Sequence, residues 1–300
     1  MSLALLWIPT TLLASALQTA RNLTQRSLIQ TIGVVGATQV RFLFGFPFAL
    51  LFLGLVCLWS GRLPPALTGS VLAYTVLGAG TQILATALML AAMRERSFAV
   101  ATAYTKTEPV QVALFGALLL GDALTPAKLA AIVVATGGVI LMSWKRGETL
   151  SAVGLRPTVL GIASGACFAL SAIGYRGAIQ ALPEGDFLIR ASTCLAFGLA
   201  LQTALLTLYM LAANRQALVA SLRSWRQSLF AGFLGAAASQ FWFIGFSLTT
   251  AANVRTLALI EVPLAQIASR KLFAEGSSAR ELVGMAMIVL GVAALLLIAI

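Results

Sequence analysis

The chain has no histidine among its 300 residues and only nine acidic side chains. The first absence removes the usual general base, the neutral-pH switch and the commonest zinc ligand together. Three cysteines, Cys57, Cys167 and Cys194, lie far apart in apolar stretches and form no C-x-x-C pair. Neither a redox couple nor a metal cage is expected from them, and they read as small packing residues. No G-x-x-x-x-G-K-[ST] occurs, which excludes ATP as a directly bound energy source. Charged residues make up 10% and apolar ones 60%, against about 25% and 45–50% in soluble domains. No soluble core hides so much apolar surface, so the chain is read as an integral membrane protein. The net charge is +11. Its Lys and Arg residues sit mostly at the ends of apolar runs, with no basic patch interleaved with aromatics. Loop charge facing the cytoplasm and anionic lipid accounts for that pattern, and no nucleic-acid partner is expected.

Ten apolar runs follow one another at about 3–24, 32–60, 67–93, 97–120, 125–145, 156–181, 187–213, 227–249, 253–273 and 279–300. They are long and do not alternate strictly, and lipid admits only helices or closed barrels, so each is expected to be a helix. The first lacks a basic leader and runs on into polar helix, and is read as a span and not a cleaved signal. Trp7, Trp59, Trp144 and Trp225 lie near span ends and read as interface anchors. Loops one, three, five, seven and nine carry most of the basic residues, which predicts both termini outside the cytoplasm.

The halves of the chain correspond. Arg41 answers Arg190, Thr81 and Gln82 answer Ser239 and Gln240, Glu108 answers Glu261, Asp122 answers Glu275, and Gly138 answers Gly291. The pairs keep their order and are separated by roughly 150 residues, the mark of a duplication. A unit of five spans is odd, so the second copy enters the membrane upside down. The predicted fold is all-α: ten transmembrane helices as two inverted five-helix repeats, 1–146 and 154–300, around a central cavity.

Two segments carry a further likeness. Phe246 to Val254, then Glu261, Pro263, Leu272 and Glu275, with Gly284 and Gly291 in the last span, resemble the EamA repeat. The counterpart in the first half is Ala99, Glu108, Pro109, Leu120, Asp122, Gly137 and Gly138. EamA proteins belong to the drug/metabolite transporter superfamily. The resemblance implies ten helices around a cavity, alternating access, the fifth and tenth helices at the periphery, and a bacterial inner or plasma membrane location. It also places many relatives' termini inside, against the charge count. Asp122 stands where the family has glutamate and Ala131 where it has glycine, making the first repeat the more divergent one.

The fourth span contains Tyr104, Thr105, Lys106, Thr107, Glu108, Pro109 and Gln111. Each charge in such a run costs about 2.5–3.5 kcal/mol to insert, and is kept where it faces a bundle interior or watery cavity. Pro109 is expected to remove one helical hydrogen bond and kink the span. Lys106 and Glu108 point in opposing directions on a helix, so each needs a partner from elsewhere. Arg41, Arg190 and Arg255 are the candidates for Glu108. Glu261 has weaker polar company and reads as structural first, coupling second. In the first span Thr11, Ser15, Gln18 and Asn22 share one face. Gln82, Tyr104, Gln240 and Trp242 complete the expected substrate-binding set with Gln18, Asn22, Lys106 and Glu108. Gly161 and Gly165 with Ala169, and the glycines 137, 138, 284 and 291, read as faces for close helix contact.

The reading that follows is a secondary transporter exporting small polar or amphipathic metabolites, such as amino acids or organic acids, without a cofactor or metal. Its partners would be the substrate, membrane lipid, and a proton or counter-substrate, in a monomer or homodimer. A flippase for a lipid-linked metabolite is the alternative, ahead of a multidrug exporter. An intramembrane enzyme would need a cluster of catalytic groups that the residues do not supply.

Overall fold

The structure is a computed structural model and describes residues 5–95, 104–143, 155–263 and 279–299. Among these residues there is helix and no strand. The helices are α1 (Trp7–Leu43), α2 (Phe46–Ser60), α3 (Gly69–Glu95), α4 (Glu108–Leu120), α5 (Pro126–Ser143), α6 (Leu155–Ala181), α7 (Phe187–Ala213), α8 (Arg215–Arg223), α9 (Trp225–Leu248), α10 (Ala251–Leu257) and α11 (Ala279–Ala299). A 3-10 turn at Ala258–Ile260 follows α10. Among the described residues six stretches are long and apolar enough to cross a membrane: Ser27–Ser60, Gly69–Glu95, Arg156–Ala181, Phe187–Ala213, Trp225–Leu248 and Ala279–Ala299. Two apolar helices, Glu108–Leu120 and Pro126–Met142, are shorter.

The polar stretch between the first two apolar runs is helical, where a loop was expected. α1 runs through it and breaks only at Gly33, whose φ of 70° and ψ of 176° lie outside the helical region. That backbone conformation is open to glycine and costly for other residues. Gln25 Nε2 donates to the carbonyl of Ala37 at 2.8 Å. In a straight helix those residues would stand about 18 Å apart at 1.5 Å per residue, so the chain reverses at Gly33 into two arms. The second arm continues through Gly45 into α2. A second departure is α8, an amphipathic helix of nine residues where only a basic loop was anticipated. Leu218 is buried and Val219 and Leu222 are exposed, a distribution suited to lying in the headgroup plane.

The buried interior is built on α6 and α9. α3 packs along α6 and α1 along α9; α4 also meets α6, and α10 meets α1; α3 meets α7, and α9 meets α2. α5 and α11 pack chiefly on each other. Leu58, Leu118, Leu208, Leu290 and Leu297 point outward, as side chains facing acyl chains would. Trp59 and Trp225 are exposed as expected, whereas Trp7 is buried in the core and does not serve as an interface anchor. Trp144 lies outside the described residues, as do Glu275 and the connections around them.

Small residues set the closest approaches. A Cβ on Gly138 would lie 2.5 Å from the carbonyl oxygen of Gly284, and one on Gly291 would lie 2.6 Å from that of Ala131. The same holds between α3 and α6, where a Cβ on Gly174 would lie 2.6 Å from the amide nitrogen of Gly78. Without a hydrophobic drive between helices in lipid, such backbone proximity supplies the dispersion contact that holds them. Gly161 and Gly165 likewise abut Tyr104 and Thr105. We expect Gly138→Ala to destabilise the protein by about 1–3 kcal/mol, because a backbone atom cannot step aside. Gly54 has open space around it, and Gly54→Ala should stay within about 0.5 kcal/mol of the parent. Unfolding midpoints in detergent compare the two; equal midpoints would contradict the packing described.

Candidate functional site

The polar segment of the fourth apolar run is not a kinked helix over its described length. Tyr104 and Thr105 are helical, Lys106 and Thr107 form a turn, and α4 starts at Glu108. Pro109 therefore occupies the first turn, where its missing N–H costs nothing, and no hydrogen bond is lost to it. The break turns Lys106 and Glu108 toward the interior, where both meet the segment that carries α10. That segment begins with Thr250, whose hydroxyl accepts from the amide of Asn253 at 3.3 Å and caps the helix.

Two ion pairs join the segments. Arg255 Nε lies 3.0 Å from Glu108 Oε1, both side chains nearly buried, and Lys106 pairs with Glu261. Of the three arginines considered for Glu108, Arg255 is the partner. Arg41 instead donates from Nη1 to Thr86 Oγ1 at 3.1 Å. Arg190 sits in the first turn of α7 and donates to the carbonyl of Glu184 at 3.3 Å, so it is not a partner of Glu108. Glu261, read as the lesser group, proves to be a full member of the network; it also accepts from Thr19 Oγ1 at 3.4 Å.

Around these pairs lies a narrow cavity. α1 contributes Gln18, Arg21 and Asn22, α3 Met89, the segment before α4 Thr105 and Lys106, α4 Glu108, α6 Phe168 and α10 Arg255. Its free space is about 20 Å³, room for a water or two. Four of the predicted binding residues, Gln18, Asn22, Lys106 and Glu108, thus come together. Trp242 joins at one remove: its indole N–H donates to Gln18 Oε1 at 3.0 Å, and Arg255 Cζ stands 4.2 Å from its ring centroid. That distance suits a cation–π contact, so the ring steadies Arg255.

Other predicted residues are elsewhere. Gln82 Oε1 accepts from Gln202 Nε2 at 2.8 Å, and Gln240 Nε2 donates to Ser192 Oγ at 2.9 Å. Both amides tie helices together, as polar groups in lipid commonly do. Tyr104 packs against Gly161 of α6 and does not line the cavity. Arg21 was overlooked, although it lies three residues beyond Gln18 and so on the same helical face. Its Nε and Nη2 donate to Asn22 Oδ1 at 3.2 and 2.6 Å. A third buried pair was also missed: Arg176 Nη2 donates to Asp122 Oδ1 at 2.9 Å, and its Nη1 donates to the carbonyls of Phe246 and Thr249 at 3.1 and 2.9 Å. This guanidinium fastens the ends of α4 and α9 to α6.

Residues 4–144 match the EamA-like transporter family. That part of the chain is similar to an EamA-type unit of the drug/metabolite transporter superfamily. The match falls on the half that looked more divergent, so the two substitutions at Asp122 and Ala131 weigh less than the rest of the pattern. A solved crystal structure superposes over 100% of this chain and 97% of its own, with a TM-score of 0.68 at 18% identity. It shows the fold alone. No curated protein matches the chain. The family match and the membrane-capable helices together support a multi-pass integral membrane protein. The Glu108–Arg255 pair is the most deeply buried of the cavity's charge pairs. Arg255→Ala should destabilise the protein by about 3–5 kcal/mol, since a buried carboxylate loses its counter-charge, and Glu108→Ala/Arg255→Ala should recover much of that loss. A double-mutant cycle on unfolding midpoints measures the coupling, and additive single effects would refute the pairing.

Proposed function

We propose that the chain is a secondary carrier that exports small carboxylate-bearing metabolites, amino acids or organic acids, by alternating access across a bacterial inner or plasma membrane. Ten spans would form two inverted five-helix units, 1–146 and 154–300, about the cavity. The reciprocity of packing supports this. α3 lies on α6 as α9 lies on α1, α4 meets α6 as α10 meets α1, and α5 meets α11. Each contact has its counterpart with the halves exchanged, as a two-fold axis in the membrane plane would require.

The observation that carries the substrate class is the crossed pair of ion pairs. Lys106 and Glu108 come from one half, Glu261 and Arg255 from the other. Lys106 and Arg255 are each held by a carboxylate of the protein itself. A substrate carboxylate offers the same geometry and charge, so it can take the place of Glu261 on Lys106 while the two segments separate. The displaced glutamate then needs water or a proton, which is where a proton or counter-substrate would couple to the cycle. Binding and release thus exchange one anion for another at a cation that is never left bare in low dielectric.

Uptake of labelled glutamate and malate into proteoliposomes tests this. Lys106→Ala should slow carboxylate transport about 10–100-fold, the equivalent of one lost charge-assisted hydrogen bond. Rates untouched by Lys106→Ala would end the carboxylate reading.

A further inference from the structure

Among the described residues the charges around the cavity do not cancel. Arg21, Arg41, Lys106 and Arg255 gather there with Glu108 and Glu261, leaving an excess of two positive charges. The other described carboxylates are not among the ion-pair partners of Arg21 or Arg41. Glu95 pairs with Arg156, Asp122 with Arg176, and Asp186 caps α7. Glu184 stands in the connection before α7, and Glu281 in the first turn of α11. Arg21 and Arg41 are the two largest fully buried side chains, at 1% and 2% exposure. Among the described residues neither has a carboxylate within ion-pair distance, and Arg21 Nη1 and Arg41 Nε have no hydrogen-bond partner. The two lie side by side: a Cβ on Gly235 of α9 would stand 3.3 Å from Arg21 Cδ and 3.3 Å from Arg41 Cγ. Arg21 lines the cavity directly. Arg41 reaches Thr86, one turn of α3 from the lining residue Met89.

We propose that Arg21 and Arg41 form a second anion subsite and that the transported solute is a dianion, a dicarboxylate or a phosphomonoester. This rests on the carrier reading of the same cavity and narrows its substrate class. Two uncompensated guanidiniums inside a membrane are costly, and structures keep such groups where something of opposite charge meets them. A monoanion would leave the loaded site with one excess charge, and a zwitterion would leave two. A dianion alone brings it to neutrality, so the occluded, loaded carrier crosses its midpoint without charge self-energy and without work against the membrane potential. The planar fork of arginine suits either a carboxylate or a phosphate end. Gly235 leaves the space in which the aliphatic stems of both arginines lie against α9.

Purified full-length protein in detergent is heated with succinate, glycerol 3-phosphate, monomethyl succinate, glycerol or chloride at constant ionic strength. Both dianions should raise the unfolding midpoint at concentrations at least tenfold below those needed for monomethyl succinate, with no response to glycerol or chloride. Whichever dianion acts at the lower concentration identifies the headgroup. Arg41→Gln should bring the response to the dianion down to that of the monoanion and leave the latter intact; if that variant does not fold, Arg21→Gln serves, and the comparison on the parent protein stands by itself. Equal response to succinate and monomethyl succinate, or a dianion preference that survives both substitutions, overturns the proposal. Exchange in proteoliposomes separates the two readings. Solutes exchanged without regard to charge would keep the carrier and remove the dianion subsite. Dianions bound with this preference yet never exchanged would keep the subsite and remove the carrier.

Discussion

Placing an ionised group in a low-dielectric interior is tolerable only with a partner held in good geometry. That requirement governs the middle of this protein. Glu108 meets Arg255 and Lys106 meets Glu261, so the segment leading into α4 and the segment carrying α10 are bound to each other twice. Arg255 is held in turn against the Trp242 ring, and Trp242 against Gln18. Four helices, α1, α4, α9 and α10, and the turn at Lys106 thereby converge on one cavity because four charges have nowhere else to go.

Regular helix gives way where these charges meet. The turn at Lys106 and Thr107 precedes α4, and the 3-10 turn at Ala258–Ile260 separates Arg255 from Glu261. A continuous helix would send Lys106 and Glu108 to opposing sides, and only one could face the cavity. Interrupting it lets both point inward. Irregular backbone at membrane depth persists where it is enclosed by protein, and here α6 encloses it, with Gly161 and Gly165 admitting the backbone and side chains of 104–107 closely. A separate lock sits at Arg176, which binds Asp122 and two carbonyls at the far end of α9. It joins elements of both halves away from the cavity, so any opening there must break four hydrogen bonds from a single guanidinium.

Much of the site was legible from residue type alone. A lysine and two glutamates in apolar runs announced a buried network, and Gln18 and Asn22 lay on a face that does border the cavity. Partner choice was not legible. Spacing along one helix says which side chains share a face, but Arg41, Arg190 and Arg255 are on three different elements, and nothing in their spacing ranks them for Glu108. Gln82 and Gln240 show the same limit: an amide in a span can line a pocket or bind a neighbouring helix, and here Gln202 and Ser192 were within reach. Trp7 illustrates it for packing, since proximity to a span end does not say whether the ring faces lipid or core.

The sequence by itself determined that the protein lives in lipid, that its structure is helical, and that Lys106, Glu108 and Glu261 require counter-charges. Composition and the cost of exposed backbone in hydrocarbon act locally, so they can be read one run at a time. Tertiary structure decided that Gly33 reverses the chain, that Pro109 opens a helix where a bend was expected, that Arg255 takes Glu108, and that Arg21 and Arg41 lie together without a described carboxylate partner. Those outcomes depend on distances between segments far apart in the chain, set by glycine contacts and by the summed pairing of all buried charges at once.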